Sequence, residues 1–103
     1  MDLPPIIVGV ARVGPTTATL VEFTVRPDIA DDGVTLAVRG LIPVPGGFYR
    51  PPGLARAVAL PADGVFGSGV EDCHRRIEEA TDARSGPVWD SLVGECRAVG
   101  LEL

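Results

Sequence analysis

The side chains able to do acid–base or nucleophilic chemistry are few. There is one His (His74), two Cys (Cys73 and Cys96), one Tyr and one Trp, and no Lys, Asn or Gln anywhere in the 103 residues. The missing Lys excludes Schiff-base and P-loop lysine chemistry, and the missing carboxamides exclude Asn or Gln as oxyanion donors. His74 is therefore the one candidate general base. A catalytic role would pair it with Glu71 or Glu78 on the same helix, or with Cys73. Cys73 is adjacent in sequence, so on a helix it points about 100° away, a poor geometry for a Cys–His dyad. His74 lies four residues after Val70 and three before Ile77, at the margin of an apolar stripe, and reads as a half-buried structural histidine. No catalytic residue is assigned.

The remaining polar clusters read as structural too. Cys73 and Cys96 fall on apolar helix faces as two buried, reduced thiols, and they lack the C-x-x-C or H-x-x-x-H spacing of a zinc site. Gly64-Val-Phe-Gly-Ser-Gly69 precedes a helix but lacks the order of a dinucleotide loop and has no following Lys. Glu71 and Asp72 in the first helical turn would repel an anion there, so this stretch is expected to cap the helix, with Ser68 and Glu71 as the capping box. Asp28, Asp31 and Asp32 beside Gly33 lack the ligand spacing of a calcium loop and read as a solvated turn. No metal and no cofactor are expected.

Phe48-Tyr49-Arg50 is different. Two of the five aromatic residues, including the one Tyr, sit next to an Arg inside Pro43–Gly53, where seven of eleven residues are Pro or Gly. That composition argues against both a ladder strand and a helix. Tyr and Arg are enriched in binding hot spots, so Phe48, Tyr49 and Arg50 are the candidate partner-binding residues. The competing reading is a lid in which Phe48 and Tyr49 fold back over the sheet.

The elements that must position these residues follow from periodicity. Ile6–Val13 is β-branched and apolar on both faces and suits a buried strand. Thr17–Val25 and Val34–Arg39 alternate as half-buried strands, and Leu54–Leu60 is a weaker fourth strand. Short connections make the first three an antiparallel meander. Downstream, Val70, Cys73, Ile77 and Ala80 repeat at three, four and three residues, as do Trp89, Leu92, Cys96 and Val99. These spacings predict two amphipathic helices folded antiparallel about Arg84-Ser85. Gly86-Pro87 should open the second helix, and Gly100 should end it with Leu101 as an apolar cap. Glu71–Arg75, Asp72–Arg76 and Arg75–Glu79 should pair on the outward side. The expected fold class is α+β: a three- to four-stranded antiparallel sheet with a C-terminal αα-hairpin packed on one face. One domain should span 1–103, its β half over 1–61 with the Pro/Gly loop at 41–53, and its helical hairpin over 68–100.

The formal net charge is −5, and the nine arginines are scattered from Arg12 to Arg97 without a basic run. Direct binding to nucleic acid or to an anionic membrane surface is disfavoured. The apolar run Ile6–Ala11 is far too short to cross a bilayer, and Met-Asp-Leu-Pro-Pro does not resemble an export signal, so a cytoplasmic location is expected. These features describe a small acidic protein–protein interaction module, such as an inhibitor, an immunity-type protein or an accessory subunit, without catalytic activity. Its partner would be a protein with a basic surface. Homodimerisation through the uncovered sheet face is a further expectation. The alternatives are a small enzyme using His74 with a nearby Glu, and a carrier of a small ligand held between sheet and helices.

Overall fold

Three antiparallel strands organise the chain: β1 (Ile6–Val13), β2 (Thr17–Pro27) and β3 (Val34–Val44). The computed structural model describes residues 3–13, 17–28, 33–61 and 64–103. A short strand, β4 (Gly47–Tyr49), pairs with the far end of β3, and β5 (Ala55–Leu60) pairs with Val34–Arg39 of β3 along the edge away from β2. Two helices follow, α1 (Val70–Ala83) and α2 (Pro87–Arg97), and both lie on one face of the sheet. The architecture is the expected α+β fold.

The pairing register explains which residues face the helices. Ile6, Phe23, Val38 and Arg56 form one cross-strand row, Val25, Leu36 and Val58 another, and Val8, Val21 and Gly40 a third. Val8, Val21, Phe23, Leu36 and Val38 are fully buried against Cys73, Ile77, Leu92, Cys96 and Leu101. At Gly40 the sheet has no room for a side chain: a Cβ would lie 3.0 Å from both Leu54 Cβ and Leu101 Cδ2. The glycine lets the C-terminal Leu101 seat directly on the strand.

β1 departs from the buried strand expected of it. Among the described residues it pairs only with β2, which makes it an edge strand, and Ile7 is 46% exposed. The register shifts between Val8 and Val10, so that Val8 faces Val21 but Val10 falls opposite Leu20. The shift is a β-bulge, and the strand reads as apolar on both faces because Ile7 stands between the buried Ile6 and Val8. A Cβ at Gly9 would lie 2.8 Å from Arg84 Nη2. Arg84, which caps α1 in the left-handed conformation (φ 52°), also stands 5.8 Å above the Trp89 ring.

The helical hairpin follows the periodicity. Cys73, Ile77, Ala80, Trp89, Leu92 and Cys96 are buried, and residues 84–86 make the connection. Pro87 opens α2. Its end is a Schellman motif: Gly100 (φ 81°) donates to the Arg97 carbonyl at 3.0 Å, and Leu101 donates to the Cys96 carbonyl at 2.9 Å. The start of α1 differs from the expected capping box. Gly69 is the N-cap, and Asp72 accepts the Ser68 N–H at 3.1 Å with Oδ2. Asp72 also holds Arg75 and, at 3.3 Å, Arg76, so Arg75 pairs with Asp72 and Glu79 rather than with Glu71. Asp72 prevails because its short side chain reaches back over the helix start, and Gly67 (φ 84°) leaves it the space.

Candidate interaction site

The stretch expected to be a Pro/Gly loop is a β-hairpin. β3 runs on through Pro43 to Val44, Pro45-Gly46 turns the chain, and Ile42, Pro43 and Val44 face Tyr49, Phe48 and Gly47. Pro45 followed by Gly46 at φ 87° suits a two-residue turn that needs one left-handed position. Pro43 is accommodated because it lies near the strand end, where a missing ladder donor costs little. Only Arg50 and Pro51 remain irregular, before one 3-10 turn at Pro52–Leu54.

This hairpin lifts its apolar side chains out of the core. Val44 is 43%, Phe48 45% and Tyr49 55% exposed. Arg50 has a partner already: its Nη2 lies 3.6 Å from Glu22 Oε2 on β2. Because the strand order is β1-β2-β3-β4, the Arg50 side chain crosses β3 to make this pair. It anchors the hairpin to the sheet while half of the guanidinium side remains accessible. The three expected site residues are thus contiguous, with two presented to solvent and one tying them down.

His74 is more deeply buried than its marginal position suggests, at 6% exposure. Its Nε2 lies 2.8 Å from the Pro4 carbonyl oxygen and its Nδ1 2.8 Å from Glu78 Oε1. The carbonyl can only accept, so Nε2–H donates to it and pins the segment before β1 onto α1. Both ring nitrogens are occupied. Glu71, the other potential partner of a catalytic His74, is exposed and lines a cleft of about 230 Å³ with Leu3, Pro27 and Val70. A second cleft, of about 390 Å³, lies along the helix pair between Arg75, Arg76 and Glu79 on one wall and Ser85, Pro87 and Val88 on the other. Its charged groups are already engaged with Asp72 and with each other. Neither wall includes His74.

Cys73 and Cys96 are free and buried. Burial pushes the Cys73 thiol up to about 11 and the Cys96 thiol up to about 12, with the nearby Asp72 and Glu95 charges adding to the effect. Both are therefore protonated, poorly nucleophilic side chains at neutral pH. The Arg75 hydrogen bond, followed by the Ser68 N–H, lowers the Asp72 pKa. Among the described residues, no group of three or more His, Cys, Asp and Glu side chains is gathered to hold a metal ion. No helix among them is long and apolar enough to cross a membrane. Asp31 and Asp32 of the expected acidic turn lie outside the described residues; Asp28 N–H closes that segment onto the Gly33 carbonyl at 2.9 Å.

Two features were not anticipated from the residues alone. Phe66, inside the glycine-rich stretch, is a buried core residue, masked in sequence by its flexible neighbours. The Glu22–Arg50 pair joins residues 28 apart and depends on a register that alternation does not specify. No protein-family model, no curated protein and no solved structure matches this chain.

Proposed function

We propose that this chain is a protein-binding module without catalytic activity of its own, working in the cytoplasm, and that Phe48 and Tyr49 are its main contact residues. The observation that supports this reading is the concentration of apolar surface on one hairpin. Of the five large hydrophobic side chains exposed among the described residues, three (Val44, Phe48 and Tyr49) share it. Exposed aromatics gathered at one place favour a contact surface, because a monomer gains nothing by holding them in water. The turn and the Arg50–Glu22 pair restrict the hairpin, which lowers the ordering cost that binding must meet. Two buried, unpaired thiols accord with a reducing compartment.

The test is affinity capture from the native cell with the wild-type protein and with Phe48→Ala/Tyr49→Ala as baits. The expected result is a protein retained by the first and lost from the second, with both baits unfolding at the same denaturant concentration. Identical captured sets would overturn the assignment of the contact to the hairpin.

A further inference from the structure

The face of the sheet turned away from the helices carries a charge opposite to that of the whole chain. Its rows follow from the register: Ile7, Glu22, Arg39 and Ala55; then Thr24, Ala37 and Ala57; then Arg26, Thr35 and Ala59. Arg50 reaches onto the same face to meet Glu22. Acidic residues outnumber arginines by 14 to 9 in the chain, yet among the described residues this face holds Arg26, Arg39 and Arg50 against Glu22 and, at its end beside Gly33, Asp28. The other ion pairs among those residues, Arg56–Glu95, His74–Glu78, Arg75–Glu79 and those centred on Asp72, belong to the helical side. Arg26 is exposed and Arg39 partly so, and neither has an ion-pair partner among the described residues.

Between the Arg39 row and the Arg26 row, about 13 Å apart along the strands, no side chain is larger than Thr. A partner can therefore approach the backbone closely with an arginine at each end. We propose that this open face binds an acidic segment of a protein partner, with carboxylates taken by Arg26 and Arg39 through charge-assisted hydrogen bonds. The proposal rests on the protein-binding reading for the kind of partner, and on the arginines for its charge. It reverses the basic partner expected from net charge, because recognition depends on the local field and not on the sum over the chain. A polypeptide fits better than a nucleic acid. Two arginines about 13 Å apart do not make the continuous basic track that a phosphate backbone needs, whereas an acidic segment needs only a carboxylate at each.

The test is fluorescence anisotropy with a labelled peptide of about twelve residues alternating Glu and Ser, long enough when extended to cross the face. A matching Arg-Ser peptide and an oligothymidylate of similar length serve as the other probes. The expected result is binding of the acidic peptide, weakened by salt. Arg26→Glu and Arg39→Glu should each reduce it by about tenfold or more, the loss of one charge-assisted contact. Arg97→Glu on α2, which alters net charge equally, should change it little. If Arg39→Glu perturbs folding beside Glu22, the exposed Arg26→Glu still decides. No binding of the acidic peptide, equal binding of all three probes, preference for the oligonucleotide, or an Arg97→Glu effect as large as the others would overturn the proposal. So would salt-sensitive self-association, by making a second copy the occupant. Phe48→Ala/Tyr49→Ala separates the two readings. Lysate capture lost in that variant with the arginine variants inert on peptide would leave the hairpin and remove the face; the converse would leave the face and remove the hairpin.

Discussion

The two faces of one sheet, built from alternate residues of the same strands, differ in everything except their register. On the helix side Val21, Phe23, Leu36 and Val38 are withdrawn from water under Ile77, Leu92 and Leu101. One residue away on each strand, Glu22, Thr24, Ala37 and Arg39 face outward, beside an Ile7 left 46% exposed. The first face is closely packed at Gly40, while the second carries only Thr24, Ala37 and Ala57 between its Arg39 and Arg26 rows. The large buried side chains of the core cluster are concentrated on one side, and the proposed acidic-segment site lies on the other. Substitutions can therefore be chosen that report on one face and leave the other nearly untouched.

The largest expected effect comes from emptying the buried face. Ile77→Ala and Leu92→Ala, both at fully buried positions, should each cost roughly 2–5 kcal/mol, measured by urea denaturation. If the two side chains share one layer of the hairpin, the double variant should fall short of or exceed the sum. Strict additivity would show that they pack independently.

Overfilling the same face should cost less. Gly40→Ala would press a methyl against Leu54 Cβ and Leu101 at 3.0 Å, for a loss of about 1–3 kcal/mol. An unchanged midpoint would mean that the C-terminal segment can lift away from β3 without penalty.

The thiols test burial through pH. Their folded values of about 11 and about 12 stand above the ordinary thiol value of 9.0. A raised thiol pKa favours the neutral form in the folded state. Its stabilising contribution is complete below about pH 9, and is lost as pH climbs toward those folded values. Stability of the wild-type protein should therefore decline over that window more than stability of Cys73→Ala/Cys96→Ala. Thiol-specific reagent at neutral pH should react only after denaturant is added. Fast labelling of the native protein would contradict the buried assignment.

The smallest expected effect on folding lies at the hairpin. Phe48→Ala/Tyr49→Ala should change stability by less than about 1 kcal/mol, because both side chains are already about half exposed and lie outside the core cluster. Arg50→Ala removes a partly exposed ion pair, worth at most about 1 kcal/mol. A drop several times larger in either variant would mean that the hairpin is structural, acting as a lid, and would remove the contact-site assignment.

How much of this was legible before folding differs sharply along the chain. The helical hairpin could be read almost whole, because helix periodicity, the Arg84-Ser85 break, Pro87 and Gly100 are all local signals within one turn of the residues they affect. The first three strands were legible as strands, but β1 was misplaced as buried. The strand lies at the sheet edge and its register shifts between Val8 and Val10, and alternation cannot register either. The composition of the Pro/Gly stretch suggests a loop, whereas pairing with β3 makes most of it a hairpin. Val44, Pro45, Gly46 and Gly47 also fit a tight turn, but only β3 alongside makes the following residues a strand. At the candidate site, residue types singled out Phe48, Tyr49 and Arg50. Their exposure, and the crossing of Arg50 to Glu22, depend on strand order.

By itself the sequence determined the first three strands, the apolar faces of the two helices, the Pro87 start and Gly100 end of α2 and the exclusion of lysine chemistry, since each of these depends on residue type or on spacing within a few residues. Tertiary structure decided which side of each strand the helices cover, where Gly40 must yield to Leu101, and that His74 pins Pro4 with no nitrogen left over. It also gathered Arg26, Arg39 and Arg50 on one face of an acidic protein. Those outcomes are set by pairing register and strand order, contacts between residues distant in sequence, and no local pattern encodes them.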